Sequence, residues 1–427
     1  AARERAVLLR IAPYLTLPMP LLVPIYGNRV IGSVTLHVGL WLYEKLGAVK
    51  KGDCHRMLSV AETLRQEPLL GRDGLNGAGV YTEYLTDDAR LVLETVKSAA
   101  HADALVANYA EAGSFLRSAG GICGATVREV FSESDLTVQA RVVVNAAGPW
   151  VYSVRSLDGE ITGKRLHLTK GIHVVVPREK LPLSQIVLLR ALDGRRGFAI
   201  PRGEMVYVGT TDTDYPRPAD RPEITGEDAE YLLEAVNHTF PDAQLRIDDV
   251  VAAWAGLRPL LHQAGKSPSE ISRRDEILVS PSGLISIAGG KLTTYRRMAE
   301  RVVDLVGTVL KEKQGKSLPG RSRTADLPLR AEGRGEEGGF ADFRRSASSF
   351  TQADVLCALE EEMVMTVEDF LDRRTSASLF TPDNGLGALE QVAHTMAAYF
   401  GWDSGRTQQE IEAYRTLVRK MKVFARL

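Results

Sequence analysis

The chain has 427 residues, of which 44% are hydrophobic and 25% are charged, and this composition excludes a collagen-like, low-complexity or wholly disordered protein. At about 150 residues per domain, the length predicts two or three domains. Lys and Arg together number 53 and Asp and Glu number 54, which gives a net charge of -1. Because the chain lacks a general basic field, we expect no nucleic-acid partner.

Three cysteines, Cys54, Cys123 and Cys357, stand far apart without any Cys-x-x-Cys pair. This spacing predicts neither a disulfide framework nor a thiolate metal site, so we expect no bound metal and a reduced, cytoplasmic compartment. We also expect no signal peptide and no membrane span, because no stretch reaches roughly 18 consecutive apolar residues. The longest apolar stretch, residues 15–26, contains three prolines, which exclude a continuous helix there.

The first third of the chain begins with helical spacing and continues as short strands. The predicted elements are, in chain order, helices over 1–15 and 35–46, a strand at 80–84, a helix capped by Thr86, and β-rich runs at 104–110, 122–131 and 136–148. Five apolar residues among the six positions 142–147 predict a strand that is buried on both faces.

The rest of the chain predicts an antiparallel sheet, a cofactor-type strand and helix, and a helical end. The elements are strands within 164–212, with turns at Asp193–Gly194 and Arg202–Gly203, then a helix at 226–240, strands at 250–261 and 283–290, and a helix at 292–310. Residues 311–350 are rich in Gly, Arg, Lys, Ser and Glu, which predicts a linker. Residues 351–427 have helical periodicity.

One dinucleotide-type glycine pattern is present, formed by Gly333, Gly335 and Gly338. A functional copy follows a buried strand and opens a helix. This copy lies in the charged linker, so we interpret it as a surface loop.

Two other glycine sites lie in better context. The first follows a strand and precedes a helix at Gly289–Gly290, where exposed N–H groups attract negative charge. The second is the end of the strand at residues 145–149, a position where open α/β sheets bind cofactors. The alternative interpretation of the first site is an ordinary tight turn with a capping region, and that of the second is a buried strand followed by a turn.

Several cations lie near the ends of predicted strands. Arg258, Arg273 or Arg274, and Lys291 are able to clamp a small phosphorylated substrate, although scattered cations usually lie on the solvated surface. Arg258 differs, because an unpaired charge within an apolar strand is costly and implies a partner. His173 also stands among β-branched residues, either as a hydrogen-bonded core histidine or as a catalytic proton carrier.

The motifs occur in one order along nearly the whole chain: VVNAAGPWV, LTKGIHVVVP, DGRRGFAIP, YVGTTDTDY, WAGLRPLL, ISRRDEI, GLISIAGGKLTTYRRMAE and TVEDFLDRR. This series resembles the FAD-dependent glycerol-3-phosphate dehydrogenase family of the D-amino-acid-oxidase-like flavoprotein superfamily. The resemblance implies oxidation of sn-glycerol 3-phosphate to dihydroxyacetone phosphate, with FAD as cofactor and membrane quinone as the electron acceptor. It also implies a cytoplasmic protein that is peripheral on the inner face of the cell membrane, and a homodimer.

The fold implied by the resemblance is α/β (α+β). An FAD/NAD(P)-binding-like domain is interwoven with an antiparallel-sheet substrate domain over residues 1–310, and a C-terminal helical domain follows the linker at 351–427. Within the first domain we expect the FAD-binding part at 1–20, 85–150 and 283–310, and the substrate sheet mainly at 77–84 and 158–282.

The resemblance also implies roles for individual residues. Arg258, Arg273 and Lys291 match positions that bind the substrate phosphate and the flavin edge, and His173 matches a histidine near the substrate. We expect Arg258, His173 and Lys291 to be catalytic, with His173 assisting removal of the hydroxyl proton. The expected FAD contacts are Val106, Asn145, Ala146, Ala147, Gly148, Pro149, Gly289, Gly290, Lys291, Leu292, Thr293 and Thr294.

The sequence departs from the family pattern in two ways. Residues 1–15 match the helix that follows the family's glycine fingerprint, so we expect the chain alone to bind FAD weakly or not at all. Arg202 stands where a tryptophan is usual. Two alternatives stay open: a glycerol-3-phosphate oxidase that uses oxygen, and a non-catalytic remnant that retains a phosphate site.

Overall fold

The computed structural model describes residues 2–27, 29–47, 54–159, 166–220, 222–261, 275–318, 320–329 and 350–422. The helices are α1 (Ala2–Ile11), α2 (Arg29–Gly47), α3 (Val60–Gln66), α4 (Asp88–His101), α5 (Val151–Ser156), α6 (Gly226–Thr239), α7 (Tyr295–Gln314), α8 (Gln352–Glu361), α9 (Ala377–Phe380), α10 (Leu386–Phe400) and α11 (Ser404–Lys420). Across the described ranges, no helix combines the length and apolar character needed to cross a membrane.

The strands form three sheets. They are β1 (Leu17–Tyr26), β2 (Arg56–Leu58), β3 (Leu75–Leu85), β4 (Ala110–Ser118), β5 (Gly121–Glu129), β6 (Asp135–Gln139), β7 (Val144–Asn145), β8 (Leu166–Pro177), β9 (Ile186–Arg190), β10 (Arg196–Arg202), β11 (Met205–Gly209), β12 (Thr213–Asp214), β13 (Ala252–Leu261), β14 (Glu276–Val279) and β15 (Ile285–Ala288).

A nine-stranded mixed sheet forms the largest layer. Its strand order is β12-β8-β11-β10-β9-β1-β3-β2, and β13 pairs with β8 along its length. The capped amphipathic helix α6 covers one face, where its Leu232 and Val236 pack with Ile172 and Val174 of β8. Because successive strand residues point to opposite faces, His173 belongs to the other face.

Two smaller sheets complete the first part of the chain. Strands β14, β15 and β7 form one, in which β7 and β15 run parallel and therefore end at the same edge. Strands β4, β5 and β6 form an antiparallel meander. The backbone N–H of Ile122 in β5 donates to the carbonyl of Ser282 at 2.8 Å, which ties the meander to the turn between β14 and β15.

Residues 350–422 form a helical unit with its own core around Phe370, Val392 and Tyr414. This agrees with the predicted C-terminal helical domain. A buried ion pair attaches the unit to α4: the guanidinium of Arg90 donates to both carboxylate oxygens of Glu362, at 2.7 and 3.2 Å.

Several local expectations need correction. The cap of α4 is Asp87, whose Oδ1 accepts the N–H of Arg90 at 3.0 Å, and not Thr86. Residues 104–109 form no strand, since β4 begins at Ala110. The strand expected at 142–147 is reduced to the two residues of β7, which is the edge strand of the small sheet in the described part of the chain, and its Val144 is 40% exposed.

Strand pairing also shifts the expected division of the first domain. Strand β1 lies inside the large sheet, although residues up to 20 were assigned to the FAD-binding part. Strand β14 pairs with β15, although residues up to 282 were assigned to the substrate sheet.

The linker also differs from its prediction. Helix α7 runs on to Gln314, and the N–H of Leu329 donates to the carbonyl of Ile11 at 2.7 Å, so residues near 329 pack against α1. The rejected glycine pattern at 333–338 lies outside the described residues.

Candidate active site

The face of the large sheet opposite α6 carries the candidate site where β8 and β13 pair. Three cross-strand pairs follow one another along this face: His173 with Trp254, Gly171 with Gly256, and Thr169 with Arg258. The two-residue period of the strands places all six on the same side. One pair is aromatic, the next has no side chains, and the third carries the cation.

The glycine pair makes a bare floor between the aromatic pair and Arg258. Apart from the chain neighbours of Gly256, no atom of the described residues lies within 4 Å of where its Cβ would stand, so they leave the space above it open. A Cβ on Gly171 would lie 2.7 Å from Nη2 of Arg258 and 2.6 Å from Oγ1 of Thr210. Glycine at 171 therefore allows the guanidinium to cross the strand.

Arg258 is fixed by the segment that follows β11. Its Nη1 donates to Oδ1 of Asp212 at 3.0 Å and to the carbonyl of Thr211 at 3.1 Å, and its Nη2 donates to Oγ1 of Thr210 at 3.2 Å. The side chain remains 23% exposed. The charge of Arg258 in this apolar strand is thus paired with a carboxylate of the same chain, and the bound partner expected from the sequence stays a prediction.

The ring of His173 stacks on the indole of Trp254, with centroids 4.6 Å apart and planes at 10°. Its Nδ1 is buried and has no hydrogen-bond partner among the described residues. Burial, helped by the positive charge of Arg258, lowers the pKa of His173 to about 4. The imidazole is therefore neutral at pH 7 and able to accept a proton.

A second set of predicted residues lies at the ends of β7 and β15. Because the two strands are parallel and adjacent, residues 146–149 and 289–294 leave the small sheet at one edge. Strand β13 packs beside both β15 and the 3₁₀ turn Gly148–Trp150. The fold thus places these loops next to the strand that carries Arg258.

The loop residues fit a flavin cofactor in backbone conformation and in charge. Gly148 has φ +57° with open space at its Cβ position, and Gly289 has φ +77°. The 3₁₀ turn Leu292–Thr294 leads into α7, and no side chain caps either element. Uncapped N–H groups and the exposed Lys291 suit the negative charge of a flavin pyrimidine ring or a phosphate.

The other predicted cofactor residues have different surroundings. Asn145 is buried, and its amide donates to the carbonyl of Val151 at 2.8 Å and accepts the N–H of Ala147 at 3.2 Å, so its side chain shapes the turn. Val106 is 37% exposed in an irregular segment, and the neighbouring Asn108 bonds the carbonyl of Met363 at 2.8 Å in the helical unit. Arg273 lies outside the described residues.

Sequence reasoning missed several residues that build the site. Asp212 stood inside the quoted YVGTTDTDY run, yet the run does not show which acid faces Arg258. The two glycines within predicted strands were a usable signal, because strand glycines often mark close backbone approach. Trp254, Tyr207 and Phe380 gave no signal, since they meet only in the folded molecule.

A cavity of about 1080 Å³ lies away from this face, between α2 and strands β1 and β9. Residues such as Ile25, Leu36 and Leu189 line it. None of the predicted site residues is among its lining residues, so we place the chemistry on the β8–β13 face.

Comparison with protein families gives two matches. Residues 32–296 match the family of FAD dependent oxidoreductases, and residues 327–407 match the C-terminal domain of alpha-glycerophosphate oxidase. The fold and the two matches define the class: an FAD dependent oxidoreductase with an added helical domain.

Relatives narrow the class. The aerobic glycerol-3-phosphate dehydrogenase of Bacillus subtilis is 42% identical over 360 residues, which are 84% of this chain and 64% of that protein. The Staphylococcus aureus (strain MRSA252) protein of the same name is 42% identical over 459 residues, covering 96% of this chain and 81% of the relative. The chain thus spans less than two thirds of the B. subtilis protein.

One solved structure supports the same assignment. The glycerol-3-phosphate dehydrogenase from Bacillus halodurans, complexed with FAD, superimposes with a TM-score of 0.82 at 34% identity and covers 99% of this chain and 85% of that one. The chain therefore belongs to the aerobic glycerol-3-phosphate dehydrogenase family. The predicted family, the α/β fold and FAD as the family cofactor are confirmed.

Proposed function

We propose that this protein oxidises sn-glycerol 3-phosphate to dihydroxyacetone phosphate with FAD. The observation that carries the proposal is the sheet face on which Arg258, fixed by Asp212, lies beside a neutral His173 above a floor without side chains. An open floor accommodates a small polyol, and a guanidinium of fixed orientation suits its phosphate group. Family membership supplies the choice of substrate.

The cations divide the work of binding. Arg258 and Lys291 hold the substrate at the cofactor edge, and Arg273 binds the phosphate. Support for Arg258 is its partly exposed guanidinium, and support for Lys291 is its exposed position directly after Gly289–Gly290. The role of Arg273 rests on the family resemblance alone.

FAD would be held by Val106 on the adenine side and by residues 145–149 and 289–294, and when bound it supplies the two-electron acceptor. Oxidation of the secondary alcohol removes a hydride from C2 and a proton from its hydroxyl. His173 takes that proton, since its imidazole is neutral and its Nδ1 makes no hydrogen bond to the described residues. The sheet and the aromatic wall, which is formed by Trp254, Tyr207 and Phe380, exclude water from the imidazole of His173.

The experiment is turnover of the purified protein supplied with FAD in large excess, because the chain alone is expected to bind FAD weakly. We expect dihydroxyacetone phosphate from glycerol 3-phosphate and none from glycerol, with dichlorophenolindophenol as acceptor. Arg258→Ala lowers turnover of glycerol 3-phosphate and weakens selectivity for the phosphorylated substrate, which Arg273 then supplies alone. His173→Ala lowers kcat by about 10²-fold or more and changes its pH profile. Equal oxidation of glycerol, or unchanged turnover across pH in His173→Ala, would refute the corresponding role.

The electron acceptor is part of the proposal, and we favour quinone over oxygen. A quinone analogue reduced without peroxide supports the dehydrogenase. Peroxide in stoichiometric yield supports the oxidase alternative. The matched C-terminal domain takes its name from alpha-glycerophosphate oxidase, which is consistent with that alternative. Phosphate-ester binding without turnover supports the non-catalytic alternative.

A peripheral membrane contact accompanies the quinone proposal, since quinones reside in lipid. Support comes from the outer side of α2, where Val34, Val38, Trp41 and Leu42 are each more than half exposed, at helical spacing. We expect the protein to float with anionic liposomes. Trp41→Ala, which removes the largest of these side chains, weakens flotation, whereas Leu192→Ala, which removes an exposed apolar residue of the β9–β10 turn, does not.

A further inference from the structure

The aromatic wall of the site belongs to two parts of the molecule. Trp254, which stacks on His173, has its other edge against Phe380 of α9, with centroids 5.8 Å apart and planes at 73°. Tyr207 fills the angle between them, 5.8 Å from Trp254 and 5.7 Å from Phe380. The sheet residues next in line, Val175 and Ala252, are buried with Phe380 in the same cluster.

Phe380 is held from its far side as well. The guanidinium of Arg202 lies over its ring, 3.9 Å from the centroid, and Arg202 also pairs with Asp87 at 2.9 Å. Phe380 itself is buried. Its position is thereby fixed by the sheet, by the cap of α4 and by the helical unit, three elements that sequence alone does not connect.

We propose that Phe380 is a positioning residue for His173: the helical unit, acting through Phe380 and Trp254, holds the imidazole flat and dry beside the substrate floor. The role in turnover rests on the proposed function. The effect of Phe380 on the surroundings of His173 is independent of the proposed function and is measured separately.

The physical argument concerns water and orientation. The Nδ1 of the stacked imidazole has no hydrogen-bond partner among the described residues, so the ring contacts, and the parallel stack on Trp254 above all, orient it. Removing Phe380 opens the edge of Trp254, so the indole tilts and water reaches the histidine. Among the described residues, the charged and titratable groups that face His173 are Arg258 on β13 and Tyr207 on β11, and helix α9 contributes none. The change is therefore one of solvation and not of a lost charge.

The test follows the imidazole of His173 by NMR in protein labelled with ¹³C-histidine, its signal assigned by its loss in His173→Gln. The variants are Phe380→Ala and the milder Phe380→Leu, which keeps most of the buried volume. Phe400→Ala is the matched control, because Phe400 stacks on Trp402 at 5.3 Å within the helical unit, away from the sheet. Steady-state turnover is measured in parallel across pH.

We expect the titration midpoint of His173 to rise by about one pH unit or more in Phe380→Ala, and less in Phe380→Leu, because water reaches the ring. The acid limb of the kcat profile moves in the same direction, and kcat falls about tenfold. Phe400→Ala leaves the midpoint unchanged. An unchanged midpoint in both Phe380 variants overturns the proposal, and so does an equal rise in Phe400→Ala. A wild-type protein that fails to oxidise glycerol 3-phosphate refutes the proposed function and leaves the titration result standing.

Discussion

The guanidinium of Arg258 owes its orientation to one carboxylate, that of Asp212. We expect Asp212→Asn to lower kcat/KM for glycerol 3-phosphate by about 10- to 100-fold, because the charge-assisted hydrogen bond that orients Arg258 is lost. The matched control is Asp214→Asn, two residues on, whose carboxylate bonds His167 at 2.6 Å and is largely exposed. Steady-state kinetics of the two variants distinguish them, and an equal loss in both would contradict the assignment.

Arg258 shows how much of the candidate site is predictable from the sequence. Its position in an apolar strand was enough to predict that it has a partner, because burying a charge has a general cost. The identity of the partner depends on β8 standing between β11 and β13, which brings together residues 46 positions apart. The sequence allows His173 either a core role or a catalytic role, and its Nδ1, which has no hydrogen-bond partner in the described part of the chain, favours the second.

His173 also makes stability depend on pH. Its pKa is about 4 in the folded protein and about 6.5 when unfolded, so between these values the unfolded chain binds the additional proton. The free energy of unfolding therefore falls as pH drops from 6.5 to 4, by up to about 3 kcal/mol. We expect His173→Gln to flatten urea-denaturation stability over this window. His101→Gln, an exposed position at the end of α4, keeps the wild-type slope; parallel curves for His173→Gln and wild type would oppose the prediction.

At the scale of elements, β1 shows how a strand accepts three prolines. Pro18, Pro20 and Pro24 lie at even positions, and strand residues of one parity direct their N–H groups to the same side. The antiparallel register with β3 is continuous from Leu17 to Pro24, whereas pairing with β9 is limited to Leu21 and Leu22. The prolines excluded a helix, as predicted, but residue patterns alone do not show which edge tolerates them.

Because β13 pairs with β8, Gly256 is a position where a substitution is able to change activity without changing stability. We expect Gly256→Val to reduce turnover by about 10²-fold, since its side chain fills the open floor where the substrate lies. The melting temperature stays close to that of the wild type, because no atom of a non-neighbouring described residue lies within 4 Å of the new Cβ and valine favours strands. Calorimetry and kinetics on Gly256→Ala and Gly256→Val compare a small and a larger added side chain. If activity does not depend on side-chain size, the space above Gly256 is not part of the substrate site.

Periodicity predicted β13 and β15 well but misjudged β7. The same apolar run that indicates a doubly buried strand also suits a short strand at one edge of a three-stranded sheet, and Val144 is accordingly exposed. Local pattern reports the tendency to form a strand, whereas burial depends on what the rest of the chain places above it.

On the scale of the whole molecule, buried charge joins the first part of the chain to the helical unit. Glu362 is 2% exposed and pairs with Arg90. We expect Glu362→Gln to lower the free energy of unfolding by about 3–5 kcal/mol, because it leaves the Arg90 charge less well compensated in a buried position. Its neighbour Glu361 pairs with Lys97 at 3.3 Å with a half-exposed carboxylate, and Glu361→Gln costs less than about 1 kcal/mol. Chemical denaturation of both variants tests the contrast, and similar losses would count against it.

The order of domains was predictable because each has its own composition and period, and the helical end was recognised from periodicity as well as from resemblance. The contacts between the parts were not. Arg202, noted only as a departure from a usual tryptophan, bonds Asp87 and lies over Phe380, so it takes part in a junction that no local pattern reveals.

Phe380 contributes to one wall of the proposed site. We therefore expect heating to disrupt this wall and the large sheet at different temperatures. The helical unit has a separate core, so its local detachment requires less energy than melting of the nine-stranded sheet. Detachment alone strips the wall from His173. We therefore expect thermal inactivation to follow the rate at which this junction opens, and a more stable sheet to leave the inactivation half-life unchanged.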